Sequence, residues 1–218
     1  MFWLVSRSKD VNKFKIKNFK GNYILITLIC GPMFSGKSTV LFQRLERYLF
    51  SKKKILLIRA KKDTRGYFTH SNGVDIEKLQ EKYNNILDVI YQTKLEQSDV
   101  DEIKQKDYKA IFIDEFFLIK NSSLFCFLNE PNINIYFSGL IATSECNLFE
   151  ETIKILPYCD KIKKLNSVCM NCGSDVANYS FYNKGIKTQK IAVGDREYDC
   201  LCQQCYNMKM KQKMGVSN

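Results

Sequence analysis

The chain has 218 residues and a formal net charge of +11 at pH 7. Its hydrophobic (45%) and charged (26%) fractions are those of a globular protein with room for one domain and a small appendage. No run of about 18 apolar residues predicts a transmembrane helix, and the apolar start at residues 1–5 is too short for a signal peptide. We therefore expect a cytoplasmic protein with no membrane partner.

The excess of positive charge suits a protein that attracts polyphosphates or nucleic acid. Much of this excess is lysine scattered beside asparagine and isoleucine, as in residues 13–20, so we expect no dedicated nucleic-acid surface. Residues 1–22 are polar and basic without clear periodicity, which predicts a poorly ordered N-terminal extension.

A phosphate-binding loop follows the first predicted strand. Residues 24–30 form a short apolar run, residues 31–38 match the pattern G-x-x-x-x-G-K-[ST], and residues 39–50 carry apolar side chains at helical spacing. Backbone N–H groups of such a loop hold phosphate oxygens at a helix N-terminus. A structural glycine-rich turn is the alternative. The predicted ATP-binding residues are Gly31, Pro32, Met33, Phe34, Ser35, Gly36, Lys37, Ser38 and Thr39.

Two residues of this loop have predicted roles in phosphate chemistry. Lys37 would reach the β- and γ-phosphates of ATP, and the Ser38 hydroxyl would bind Mg²⁺.

Further apolar strands are predicted at residues 54–60, 108–115 and 133–139, alternating with helical segments. This alternation predicts an α/β fold with a mostly parallel sheet.

The strand at residues 108–115 ends in two carboxylates. Asp114 suits Mg²⁺ binding beside Ser38, and Glu115 suits orienting or deprotonating a nucleophile. A solvated strand end is the alternative.

Five of the nine cysteines follow residue 168. Two C-x-x-C pairs among them suit a closed tetrahedral zinc site with a structural role. Cys200 is a competing ligand, and isolated thiols or a redox pair are the alternatives. The composition changes near residue 165, so we predict a core at 23–164, a zinc-ribbon lobe at 165–206 and a C-terminal tail at 207–218. The predicted zinc ligands are Cys169, Cys172, Cys202 and Cys205.

Taken together, these segments resemble the thymidine kinases of the cellular and poxviral type. The landmarks of that family are a G-P-M-F-[SA]-G-K-[ST] loop, a D-T-R segment, an I-D-E strand end and a C-x-E-C lobe with a second cysteine pair. Here they correspond to residues 31–38, 63–65, 113–115 and the two cysteine pairs. The resemblance spans about residues 23–206, with the landmarks in the same order and spacing.

The resemblance implies a RecA-like P-loop core and a zinc-bearing lobe whose lasso loop, residues 173–201, closes over the nucleoside. It implies that Glu115 is the general base for the 5′-hydroxyl, that Arg65 stabilises the transferring phosphoryl group, and that Lys37 holds the ATP phosphates. It also implies a homotetramer. The implied nucleoside-binding residues are Met33, Leu140, Phe149, Val193, Gly194 and Tyr198.

The chain departs from the family pattern mainly at the base pocket. Phe117 occupies a position at which the family commonly has glutamine, and Ser144 occupies that of a phenylalanine that stacks on the base. Ile141 and Leu148 replace an aspartate and a proline. The lost aromatic face corresponds to about 1 kcal/mol of stacking, whereas the phosphate and metal residues are intact.

We therefore expect a thymidine kinase that transfers the γ-phosphoryl group of Mg²⁺-bound ATP to the 5′-hydroxyl of thymidine or deoxyuridine in nucleotide salvage. Two alternatives stay open on the sequence alone. The changed base pocket is compatible with a degenerate, weakly active or inactive kinase paralogue. The positive charge and the cysteine pairs are compatible with a zinc-ribbon P-loop NTPase that acts on nucleic acid.

Overall fold

The computed structural model describes residues 25–63, 73–128, 133–183 and 197–214. The predicted extension at residues 1–22 and the predicted site residues Arg65, Val193 and Gly194 lie outside the described residues. Within the described ranges, no helix is both long enough and apolar enough to cross a membrane.

Six strands form a sheet in the order β3-β2-β4-β5-β1-β6, and every neighbouring pair is parallel. The strands are β1 (Ile26–Cys30), β2 (Ile55–Ala60), β3 (Leu87–Gln92), β4 (Ala110–Asp114), β5 (Asn134–Gly139) and β6 (Lys161–Lys164). The helices that accompany this sheet are α1 (Lys37–Phe50), α2 (Ile76–Lys82), α3 (Gln97–Lys104) and α4 (Glu150–Ile155). Short 3₁₀ segments lie at Phe116–Leu118, Ser122–Phe127 and Leu156–Tyr158.

The four inner strands of the sheet, β2, β4, β5 and β1, are covered on both faces, which explains why they are mostly apolar in the sequence. On β4, Ile111 and Ile113 belong to one buried cluster, and Ala110 and Phe112 belong to a second. The first cluster includes residues of α3 and α4, and the second includes the apolar face of α1. The predicted α/β fold with a parallel sheet is therefore confirmed.

The strand order determines where the chemistry can occur. Strand β5 separates β1 from β4, so the carboxyl ends of β1 and β4 are two strand spacings apart, about 10 Å. The loop that leaves β1 turns into α1, and the carboxylates follow β4. In open α/β sheets, ligands bind beyond the carboxyl ends of the strands. The phosphate loop and the carboxylates therefore share one edge of the molecule.

A small lobe follows the sheet. Strands β7 (Tyr179–Tyr182) and β8 (Tyr198–Leu201) pair antiparallel and precede α5 (Gln203–Lys213). Phe181, Cys200 and Leu201 form its buried centre together with Tyr206. Helix α5 continues seven residues past residue 206, through most of the segment expected as a tail.

Candidate active site and cysteine centre

The phosphate loop connects β1 to α1 through a tight turn. Gly36 caps the helix with a φ of 76°, a left-handed conformation that glycine adopts without steric cost. A Cβ atom on Gly31 would lie 2.5 Å from the carbonyl oxygen of Leu165, so only glycine fits against that backbone. The N-terminus of a 14-residue helix with no acidic residue in its first turn then faces the loop, an arrangement that favours a bound anion.

Three predicted catalytic and metal-binding residues converge at the first turn of this helix. Lys37 is buried, and its Nζ donates to the carbonyl oxygen of Pro32 at 2.6 Å, which holds the ammonium within the curve of the loop. Ser38 Oγ donates to Asp114 Oδ1 at 3.5 Å. Carboxylate and hydroxyl oxygens are suitable ligands for a hard divalent cation. The residues present therefore fit a metal ion that accompanies a nucleotide.

Glu115 follows Asp114 in an uncommon backbone conformation. Its φ of 51° and ψ of 43° are left-handed, and it begins the 3₁₀ turn Phe116–Leu118. A non-glycine residue in this region costs on the order of 1–3 kcal/mol, and such residues cluster at functional sites. The turn takes the chain out of the sheet directly after Asp114. Asp114 therefore belongs to β4, whereas Glu115 belongs to the turn that follows it.

A buried ion pair lies at the end of β2, next to Asp114. Arg59 is the register partner of Asp114 in the neighbouring strand, and its Nη2 donates to Asp63 Oδ2 at 2.8 Å. Both side chains are only 2% exposed. The pair fixes Asp63, the first residue of the 63–65 segment, against the sheet.

Breaking this pair has a large predicted effect on stability. Replacing Asp63 with asparagine leaves the Arg59 charge buried without its carboxylate, so we expect the free energy of unfolding to fall by about 3–5 kcal/mol. Urea denaturation measures this loss. The matched control is Glu102→Gln, because the ion pair of Glu102 with Lys106 is exposed and its removal should leave stability nearly unchanged. Equal stability of Asp63→Asn and the wild type would refute a structural role for the pair.

The small lobe holds the phosphate loop by direct contacts. The Met33 N–H donates to Ser180 Oγ at 3.1 Å, and Ser167 Oγ donates to the carbonyl oxygen of Phe34 at 3.2 Å. Together with the close approach of Leu165 to Gly31, these bonds join the loop to segments more than 130 residues away in sequence. The geometry of the loop therefore depends on the lobe.

The predicted nucleoside-binding residues that the structure describes lie on several elements. Leu140 directly follows β5, Phe149 caps α4, and Tyr198 is the buried first residue of β8. The ring of Phe149 packs on that of Phe117, with centroids 4.5 Å apart. Aromatic surface thus lies beside Phe149 even though Ser144 lacks a ring.

Four cysteine side chains form a compact group in the small lobe. The sulfur atoms of Cys169, Cys172, Cys202 and Cys205 all lie within 4.8 Å of one another, and the Cys172–Cys202 separation is 3.7 Å. Tetrahedral zinc with Zn–S bonds of 2.3 Å requires sulfur atoms about 3.8 Å apart. The donor set and its spacing could therefore hold zinc. Cys200 is outside this group and completely buried in the centre of the lobe.

Local hydrogen bonds prepare the cysteine group for a metal. The turn after Cys169 is closed by the Gly173 N–H, which donates to the Cys169 carbonyl at 2.9 Å. Burial acts to raise the pKa of Cys169, but hydrogen bonds from the Cys202, Cys172 and Asn171 backbone lower it to about 6. These hydrogen bonds therefore favour the thiolate form of Cys169, which is the form that binds zinc.

Several residues that shape the site were not identified from the sequence. The local sequence does indicate a role for Arg59, because a charged residue inside an apolar strand needs a buried partner. It indicates no role for Ser167, Ser180 or Tyr206, since their contacts with the core join distant parts of the chain.

The parallel α/β sheet, the phosphate loop at the start of α1 and the carboxylates beside it define a P-loop nucleotide-binding protein. The family model described as "Thymidine kinase" matches residues 24–206. Among individual proteins, the thymidine kinase of Amsacta moorei entomopoxvirus is 33% identical over 84% of this chain and 97% of its own length. The chain therefore belongs to the thymidine kinase family.

Two relatives from cellular organisms also match most of the chain. The cytosolic thymidine kinase of Gallus gallus is 28% identical over 88% of this chain and 81% of its own length. The thymidine kinase of Mycoplasma mobile is 30% identical over 89% of this chain and 92% of its own length. Membership of a kinase family implies ATP with a divalent metal ion. These comparisons give no support to a degenerate kinase or to a nucleic-acid NTPase.

Proposed function

We propose that this protein transfers the γ-phosphoryl group of ATP to the 5′-hydroxyl of thymidine, giving thymidine monophosphate and ADP in nucleotide salvage. The proposal rests on the hydrogen bond from Ser38 Oγ to Asp114 Oδ1, 3.5 Å long and next to the buried Lys37, in a chain of the thymidine kinase family. These residues lie where the phosphates of ATP would enter, at the N-terminus of α1.

The residues of the loop bind and orient ATP. Its backbone N–H groups and Lys37 hold the phosphates, which leaves the γ-phosphorus open to in-line attack. Ser38 and Asp114 would hold Mg²⁺, which when bound neutralises charge on the β- and γ-phosphate oxygens. Residues 31–39 form this ATP site as a unit.

The remaining roles concern the nucleoside. Glu115 accepts the proton of the 5′-hydroxyl. At the same time the 5′-oxygen of the nucleoside bonds to the γ-phosphorus, and the bond from that phosphorus to the ADP oxygen breaks. Arg65 stabilises the charge on the transferring group, and the buried Arg59–Asp63 pair fixes the start of the segment that carries it. The base lies among Met33, Leu140, Phe149, Val193, Gly194 and Tyr198.

The four cysteines bind one structural Zn²⁺, and the zinc-bearing lobe at residues 165–206 packs on a core at residues 23–164. We further propose a homotetramer in the cytoplasm, in line with the resemblance to cellular and poxviral thymidine kinases.

A nucleoside panel tests the proposed substrate. The zinc-loaded protein is incubated with Mg²⁺, ATP and each common ribo- and deoxynucleoside in turn, and monophosphates are separated by chromatography. We expect product from thymidine, a weaker or equal signal from deoxyuridine, and none from purine nucleosides. Product from a purine nucleoside alone, or from none of the panel, would contradict the proposal.

A further inference from the structure

One tyrosine of the small lobe bonds directly to the segment between β5 and α4. Tyr206 Oη donates to the carbonyl oxygen of Ser144 at 2.7 Å, and Cys146 Sγ lies 3.5 Å from the same hydroxyl. Tyr206 is only 7% exposed. A buried hydroxyl that donates to a main-chain carbonyl fixes the position of the backbone, whatever side chain that residue carries.

The position of Tyr206 depends on the cysteine group. It directly follows Cys205, and its N–H donates to the Cys202 carbonyl at 2.9 Å in the first turn of α5. Its ring stacks on Tyr179 with centroids 4.7 Å apart and meets Phe181 edge-on. The turn that supplies two sulfur atoms to the cysteine group therefore also determines where the Tyr206 hydroxyl lies.

The segment that receives this bond is a short hairpin, residues 140–149. The Thr143 N–H donates to Asn147 O at 2.8 Å, and the Phe149 N–H donates to Ile141 O at 3.0 Å. Ser144 lies at the tip of this hairpin and is itself buried. Because the strands of the hairpin are bonded to each other, a shift at its tip is transmitted to its two ends, which carry Leu140 and Phe149.

We propose that Tyr206 is a positioning residue that couples the four-cysteine centre to the nucleoside pocket. The hydroxyl fixes the hairpin from its tip and so places Leu140 and Phe149 against the base. This inference rests on the proposed function, since it assigns the base to that pocket. It predicts a reciprocal effect, because a coupling between two binding sites acts on both of them, so that bound thymidine should strengthen the binding of zinc.

The first test follows zinc rather than turnover. A chelator removes zinc from the protein, and a coloured indicator reports the rate with and without saturating thymidine. In the wild type, thymidine should slow zinc release about fivefold, the factor that corresponds to one buried hydrogen bond. In Tyr206→Phe, the slowing by thymidine should be smaller than in the wild type, because only the proposed direct contacts of lobe residues such as Tyr198 with the base remain. Tyr179→Phe is the matched control, because it removes a hydroxyl from the stacked ring, and should behave as the wild type.

The second test separates positioning from general stability. In Tyr206→Phe, KM for thymidine should rise about fivefold while kcat and KM for ATP stay within about twofold. A change in all three parameters together, or an unchanged effect of thymidine on zinc release, would overturn the coupling. If Tyr206→Phe does not fold, the wild-type protein still provides a test. An equal rate of zinc release from the wild type with and without thymidine would refute the proposal.

The two proposals fail in different ways. An enzyme that phosphorylates thymidine but releases zinc at the same rate with and without it retains the proposed function and loses the coupling. A protein that phosphorylates no nucleoside loses the proposed function. Zinc release requires no turnover, so the coupling can be measured whether or not thymidine is phosphorylated.

Discussion

We expect the replacement of Glu115 with glutamine to lower kcat for thymidine phosphorylation by about 10²–10⁴-fold, the usual contribution of a general base. The amide has nearly the shape of the carboxylate but cannot accept the proton of the 5′-hydroxyl. Glu115 lies outside the phosphate loop, in the turn after Asp114, so the affinity for ATP should change little. Steady-state kinetics and the binding of a fluorescent ATP analogue measure the two effects separately.

A matched control is available on the surface of the sheet domain. Glu81 is an exposed residue of α2, and Glu81→Gln should leave both kcat and ATP affinity at wild-type values. If Glu115→Gln retains wild-type turnover, Glu115 is not the general base. If instead it loses ATP binding, its role is in holding the nucleotide or its metal.

We expect the replacement of Cys202 with alanine to abolish zinc binding and to unfold the small lobe. Structural zinc sites contribute roughly 10–16 kcal/mol of binding free energy at neutral pH, far more than a small lobe gains from its core. The loss should extend to the nucleotide site, because Ser167 and Ser180 bond to the phosphate loop. We expect zinc content near zero, a lower melting temperature and weaker ATP binding.

Cys200→Ala provides the control within the same lobe. Cys200 is buried and lies outside the four-sulfur group, so this variant should keep one zinc per chain and lose only packing. Metal analysis by mass spectrometry decides between the two cysteines. A zinc-free Cys200→Ala together with a zinc-loaded Cys202→Ala would show that the ligand set is assigned wrongly.

Much of the fold follows from local sequence patterns. Strands β1, β2, β4 and β5 are apolar runs because both faces of the sheet are covered, and each was predicted to within about two residues. The convergence of Ser38 and Asp114 was also predictable, because the loop that leads to Ser38 leaves the carboxyl end of β1 and Asp114 ends β4 in the same parallel sheet.

The contacts of the small lobe could not be predicted in this way. Tyr206 and Ser144 are 62 residues apart, and nothing in either local sequence specifies that they meet. The same holds for Met33 and Ser180, 147 residues apart. Such contacts depend on how the lobe docks on the core, which is a property of the packed structure rather than of any segment.

The base pocket could be predicted from the sequence only in part. The absence of an aromatic ring at Ser144 was visible in the sequence and suggested weaker stacking. The packing of Phe117 on Phe149 was not visible, because it depends on how the 3₁₀ turn after β4 approaches α4. Aromatic surface is therefore present near this part of the site, although it comes from a different segment of the chain.

The central claim is phosphoryl transfer from ATP to thymidine, and following the γ-phosphoryl group tests it most directly. Zinc-loaded protein is incubated with Mg²⁺, thymidine and ATP that carries an isotopic label on the γ-phosphate, with Lys37→Ala as the parallel control. We predict that the label moves to the 5′-position of thymidine monophosphate in the wild type and stays on ATP in the variant. Label released only as inorganic phosphate would contradict the account and indicate an NTPase instead.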